Sequence, residues 1–118
     1  KMAAPNIVNV TTITGKTAVL ALTASAVAIV TNSAASGMVY KVNSLYVANV
    51  DGATAFTVTI DLFRSSTAYR LAFQISVPSN STLDILSKAI YLEEGDSIRV
   101  LGSTTLKLEA ICSYEQIS

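Results

Sequence analysis

Phe56-Thr57-Val58-Thr59-Ile60-Asp61-Leu62-Phe63-Arg64, followed by Ser65-Ser66 and then Thr67-Ala68-Tyr69-Arg70-Leu71-Ala72-Phe73-Gln74-Ile75-Ser76-Val77, alternates apolar and polar residues almost without a slip. Side chains on a strand point to opposite faces at every step, so a period of two marks a strand with one buried face. Two such runs separated by a short polar break predict a hairpin. Phe56, Val58, Ile60 and Leu62 are expected inward on the first strand, with Tyr69, Leu71, Phe73, Ile75 and Val77 inward on the second. Phe63 falls out of phase with its neighbours and stands beside Arg64. An aromatic residue exposed at a strand end suggests a contact with another protein chain, so Phe63 and Arg64 are the candidate protein-contact residues.

Working outward, the same grammar repeats. Strands are predicted from Ile7 to Thr14, Ala18 to Leu22 and Ala26 to Thr31, with a turn at Gly15-Lys16. The alanines between Thr17 and Ala35 would suit a helix, but the clustered Val, Ile and Thr favour strand. Asn32-Ser33-Ala34-Ala35-Ser36-Gly37 has the composition of a loop. From Met38 to Val50 the apolar phase changes, Tyr40 and Val42 on one parity and Leu45 and Val47 on the other, which predicts a bulge near Asn43-Ser44. Asp51-Gly52 is a turn, and Pro78 ends the second hairpin strand because proline cannot donate to a central ladder. Leu83 to Leu86, Ala89 to Leu92, Ser97 to Leu101 and Thr105 to Tyr114 complete the series. Short strands at such spacing predict an all-β, antiparallel β-sandwich of jelly-roll type, one domain over residues 1–118.

Composition narrows function by exclusion. At 118 residues the chain buries roughly two-thirds of the surface it exposes when unfolded, enough to fold without disulfides or metal. The single Cys112 is in phase with Leu106, Leu108 and Ala110 and reads as a small core residue; a reactive thiol is the alternative. Eight basic and eight acidic residues give zero net charge, and charged residues make up 14% of the chain. That surface carries no electrostatic footprint for nucleic acid or an anionic membrane, and weak charge favours association. With no histidine, Ser-His-Asp and Cys-His chemistry and His-containing zinc sites are excluded. Lys16 to Ala26 has the cadence of a secretory signal, but it lies behind strand-like sequence, and its apolar run is too short to span a bilayer. Met2-Ala3-Ala4 reads as a natural start, with Lys1 an added residue.

The remaining motifs each have a plain structural reading. Glu93, Glu94 and Asp96 form the one acidic cluster; a Ca²⁺ site or a carboxylate pair facing Asp61 or Asp84 are its functional readings. A solvated turn with Gly95 at positive φ is the simpler expectation. Asn9-Val10-Thr11 and Asn80-Ser81-Thr82 fit the glycosylation pattern but carry no weight without an export signal. Gly15-Lys16-Thr17 matches the end of a phosphate loop whose upstream glycine is missing. Tyr40, Tyr46, Tyr69, Tyr91 and Tyr114 would suit a sugar-binding groove if they converged. No catalytic residue, cofactor or metal is expected.

Three segments carry a resemblance: Val77-Pro78-Ser79-Asn80-Ser81-Thr82-Leu83-Asp84-Ile85-Leu86, Ile90-Tyr91-Leu92-Glu93-Glu94-Gly95-Asp96-Ser97-Ile98-Arg99-Val100, and Cys112-Ser113-Tyr114-Glu115-Gln116-Ile117. With Met2 to Val10 they cover about half the chain and resemble small virion structural proteins of tailed bacteriophages, of the T4-like cyanophage type. Gln116 stands where that group has Glu. The resemblance implies a non-enzymatic virion component (decoration, neck, tail or fibre-associated) made in the host cytoplasm. It would contact copies of itself, as a trimer, and other virion proteins, with no nucleic acid and no membrane. A carbohydrate-binding module for host-surface recognition is the alternative function.

Overall fold

The structure, a computed structural model, describes residues 10–118. The expected strand start at Ile7, the Met2 start and the Asn9 sequon lie outside the described residues. Among the described residues nine strands follow one another: β1 (Ile13–Ala21), β2 (Val27–Thr31), β3 (Val39–Asn49), β4 (Phe56–Arg64), β5 (Thr67–Val77), β6 (Thr82–Asp84), β7 (Ile90–Leu92), β8 (Ser97–Gly102) and β9 (Leu108–Ile117). No helix occurs among the described residues. All pairings are antiparallel. One sheet runs β1-β9-β3, with β6 and β7 sharing the far edge of β3; the other runs β2-β8-β4-β5. Wound this way, the chain is a jelly-roll β-sandwich, the fold class the alternation predicts.

The core lies between the sheets. Leu45, Val47, Leu108, Ala110 and Cys112 from the first sheet meet Val58, Ile60, Ile98 and Val100 from the second, all at most 1% exposed. Each large aliphatic so buried contributes about 1.5–3 kcal/mol. Cys112 is part of this core, and burial pushes its thiol up to about 11. The phase change in β3 is a bulge: the register with β9 shifts between Val42 and Ser44, so Tyr40, Val42, Leu45 and Val47 all turn inward.

Two expectations are corrected. The predicted break at Gly15-Lys16 does not occur, because β1 runs through it with Gly15 opposite Glu115 and Lys16 opposite Tyr114. Glycine tolerates extended backbone, and β9 supplies the continuous partner that sequence could not show. The inward phase of β5 holds at Val77 and, half-buried, at Leu71, but fails between them and at Tyr69. Its register with β4 shifts twice between Val58 and Asp61, and Gln74 sits at φ 51°. Ala72 is therefore the buried residue opposite Ile60, while Tyr69, Phe73 and Ile75 are exposed. The same bulge covers the second face of β4: the Gln74 N–H donates to Thr59 Oγ1, and Arg70 donates to both oxygens of Asp61. Thr59 and Asp61 are each 4% exposed in consequence.

Two buried asparagines tie the loops to the sheets. The Asn32 amide donates to the carbonyls of Met38 and Leu92 at 3.0 Å each, and its Oδ1 accepts from the Ser36 hydroxyl. Asn49, at the other end of the sandwich, donates to the Thr54 and Val77 carbonyls and accepts the Asp51 N–H. Each bridges segments that no ladder joins.

Candidate interaction surfaces

Four segments meet at one end of the sandwich: the β2–β3 loop, the β4–β5 turn, the β7–β8 turn and the start of β3. The β4–β5 turn is a two-residue connection in which Ser65 and Ser66 have φ of 51° and 59°, the primed geometry that matches strand twist. It presents Arg64 to the β7–β8 turn. Arg64 Nε donates to Asp96 Oδ1 at 2.8 Å, and Nη2 reaches both Asp96 Oδ2 and Glu93 Oε2. The bond to Asp96 is the main reason the guanidinium holds its proton more tightly than usual. Asp96 Oδ2 also accepts the Glu93 N–H, and Gly95 at φ 90° closes the turn.

This turn is not the solvated one that its composition suggests. Glu94 is 8% and Asp96 2% exposed, because backbone bonds from Asn32 to Asp96 and from Gly95 to Asn32 dock the turn against the β2–β3 loop. Glu94 Oε2 accepts the Gly37 N–H at 2.9 Å, whereas Oε1 is buried and has no hydrogen-bond partner among the described residues. A cavity of about 290 Å³ is lined by Arg64, Ser65, Glu93, Glu94, Gly95 and Asp96. Among the described residues no group of three His, Cys, Asp or Glu side chains is placed to hold a metal ion. Asp61, the suggested opposing carboxylate, has its oxygens bound by Arg70, and Asp84 pairs with Tyr46 on the far edge of β3.

Of the two candidate contact residues, Arg64 is therefore a clamp between two turns, its side chain 41% exposed. Phe63 is half-buried rather than exposed; the Arg99 guanidinium lies 3.5 Å from its ring centroid, a cation–π contact across the ring face. The tyrosines do not converge on one groove. Tyr40 and Tyr114 stack at 5.5 Å, with Gln116 donating to the Tyr40 hydroxyl. Burial, then the neighbouring Tyr40 and Cys112, raises the Tyr114 pKa. Tyr46 and Tyr91 are exposed at opposite ends of β3, and Tyr69 is exposed on the other sheet.

A second surface escaped the sequence reading. On the outer face of the first sheet, Val19 of β1, Ile111 of β9 and Tyr46 of β3 occupy consecutive positions of one cross-strand row. They are 72%, 42% and 40% exposed. The alternation of β9 hides this, because Ile111 is simply the out-of-phase residue between Ala110 and Cys112. Only the register aligns it with Val19 and Tyr46.

No family model matches the chain, and no curated protein matches it. Among solved structures, the fold is similar to a chain described under "Bacillus endospore appendages form a novel family of disulfide-linked pili", with a TM-score of 0.53 and 20% identity over 91% of this chain and 88% of that one. At that identity the likeness is one of fold.

Proposed function

We propose that this chain is a non-enzymatic structural protein that assembles through contacts with copies of itself and with other proteins of the same particle. The observation that carries the reading is the exposed Val19–Ile111–Tyr46 row. Three large apolar side chains side by side on an uncovered sheet face lose water-exposed area when a second copy covers them, which favours association. A neutral, charge-poor sequence offers little repulsion against it. The fold of an appendage-forming pilus protein supports a building-block role. The sequence resemblance supports a virion as the particle, with the trimer as the expected state.

The buried Cys112 distinguishes this chain's route from a disulfide-linked one: its sulfur is enclosed in the core, so the contacts proposed here are non-covalent. Light scattering during size-exclusion chromatography tests the reading. A trimer or larger assembly, returned towards monomer by Ile111→Asp without loss of fold, is the expected result. A monomer at every accessible concentration would refute it.

A further inference from the structure

We infer that the outer face of the first sheet pairs with the same face of a second copy about a two-fold axis running along the Val19–Ile111–Tyr46 row, with Lys107 of each copy set against Glu115 of the other. This rests on the assembly reading above and adds to it the partner face, the register and the ion pairs that fix it.

Strand β9 is the middle strand of that face, between β1 and β3. Its buried residues include Leu108, Ala110 and Cys112, so Lys107, Glu109, Ile111, Ser113 and Glu115 take the outward parity. The ladder carries one step past the start of β9, where the Val50 N–H donates to the Lys107 carbonyl, and Lys107 is exposed there. Read from outside, β9 is therefore cation, carboxylate, isoleucine, serine, carboxylate. Among the described residues no ion pair engages Lys107, Glu109 or Glu115, and Lys41, opposite Glu115 on β3, is not paired with it.

Turned about an axis that passes through Ile111 and lies perpendicular to β9, this pattern matches itself. Ile111 meets Ile111, the Ser113 hydroxyl meets Glu109 and donates to it, and Lys107 meets Glu115, each contact occurring twice by symmetry except the one on the axis. Facing sheets stand about 10 Å apart, a gap that a lysine and a glutamate reach across from opposite sides. The flanks agree, because Val19 and Tyr46 share the row of Ile111 and come to lie on their own counterparts. A hollow of about 280 Å³, lined by Val19, Leu20, Ala21, Glu109, Ala110 and Ile111, lies beside the axis and takes apolar side chains of the second copy's row. Other arrangements fail on charge. An axis along β9 sets Lys107, Glu109 and Glu115 each against itself. Moving the perpendicular axis to Ser113 puts Ile111 on the Glu115 carboxylate, and moving it to Glu109 puts two carboxylates together. Apolar burial supplies the attraction, and the charges choose the register.

A two-fold contact joins copies in pairs; combined with the trimer expected above, it gives six copies. Sedimentation velocity of the whole chain compares wild type, Ile111→Asp, Lys107→Glu, Glu115→Lys and the double charge reversal, each first checked for an unchanged melting temperature. Wild type is expected as an even number of copies. Each single reversal sets like charges together at both symmetry-related positions and should weaken the contact about ten-fold, whereas the double reversal should restore it to within about two-fold. Mixing the two single variants, each weak alone, should give mixed pairs, because every facing position then carries opposite charges. A merely structural role for either residue would not produce that rescue. A wild type that Ile111→Asp dissociates but that neither charge reversal weakens overturns this register and leaves the assembly reading standing. So does a wild type of three copies, or a pair of single variants that stay apart when mixed. A wild type that stays monomeric overturns both.

Discussion

Replacing Asn32 by Leu removes one buried amide while keeping a side chain of four heavy atoms branched at the same carbon. Asn32 is 0% exposed, and its Nδ2 serves the Met38 and Leu92 carbonyls together. The variant deprives both carbonyls of a donor in a place water does not reach, at about 1.5 kcal/mol each, or about 3 kcal/mol in all. The Ser36 hydroxyl, which also loses its acceptor, can turn to solvent and adds little. With an unfolding entropy of about 2.1 cal/mol/K per residue, 118 residues give about 0.25 kcal/mol/K, so the melting temperature should fall by about 12 °C. Far-UV circular dichroism in a urea series measures the loss directly. Asn32→Asp sharpens the test, because it keeps the acceptor for Ser36 and replaces the donor with an oxygen facing two carbonyls. At pH 7 it should be worse than Leu. Measured against wild type at each pH, its deficit should shrink on acidification, as the protonated carboxyl regains one donor. A Leu variant within about 0.5 kcal/mol of wild type would show that the amide does not hold the loop to the sheets.

Arg64→Met should cost about 2 kcal/mol, read by thermal melting; the figure for stranding a buried carboxylate is discounted because the arginine is 41% exposed and Asp96 keeps the Glu93 N–H. An unchanged melting temperature would mean the clamp contributes nothing. Gly102→Ala places a Cβ 3.0 Å from Leu108 Cδ1 and 3.2 Å from the Thr104 carbonyl, and should destabilise by about 1–3 kcal/mol in the same assay. The thiol of Cys112 makes a pH prediction. Its folded pKa is raised from 9.0 to about 11, so the stability linked to it is fully present below pH 9 and is lost as pH rises towards 11, by at most about 3 kcal/mol. The stability difference between wild type and Cys112→Ala should therefore narrow from pH 8 to pH 10.5, and a constant difference would contradict the assignment.

The parts of this fold that were legible in sequence are those governed by local alternation. The β4–β5 hairpin, the bulge after Val42 and the positive φ of Gly95 each follow from a few neighbouring residues. What misled was pairing. Nothing local says that β9 carries β1 straight through Gly15, or that Gln74 inserts a bulge that trades Phe73 for Ala72 in the core. The candidate surfaces depend on pairing even more. Asp96 looks like a wet turn residue until Arg64, 32 positions earlier, is folded onto it. Phe63 looks exposed until Arg99 lies on its ring. Val19, Ile111 and Tyr46 become a surface only in register. Asn32 and Asn49 gave no signal, because an asparagine in a polar loop is unremarkable until the two carbonyls it joins are brought together.

Where the charges lie sets how the proposed face-to-face contact responds to salt. All three arginines of the chain are engaged within the molecule: Arg64 with Asp96 and Glu93, Arg70 with Asp61, and Arg99 with Phe63. The row of Val19, Ile111 and Tyr46 has no charge of its own. Burial of such a row is strengthened by sulfate and phosphate, which are excluded from protein surface. A contact held by charge would respond in the opposite direction, because the screening length falls from about 10 Å at 0.1 M salt to about 3 Å at 1 M. Raising sodium chloride from 0.05 to about 0.5 M should therefore leave face-to-face association in place, and ammonium sulfate should tighten it. Light scattering across both salts reads the two responses. Sodium chloride that returned the assembly to monomer would mean that charge, and not this apolar row, holds the copies together.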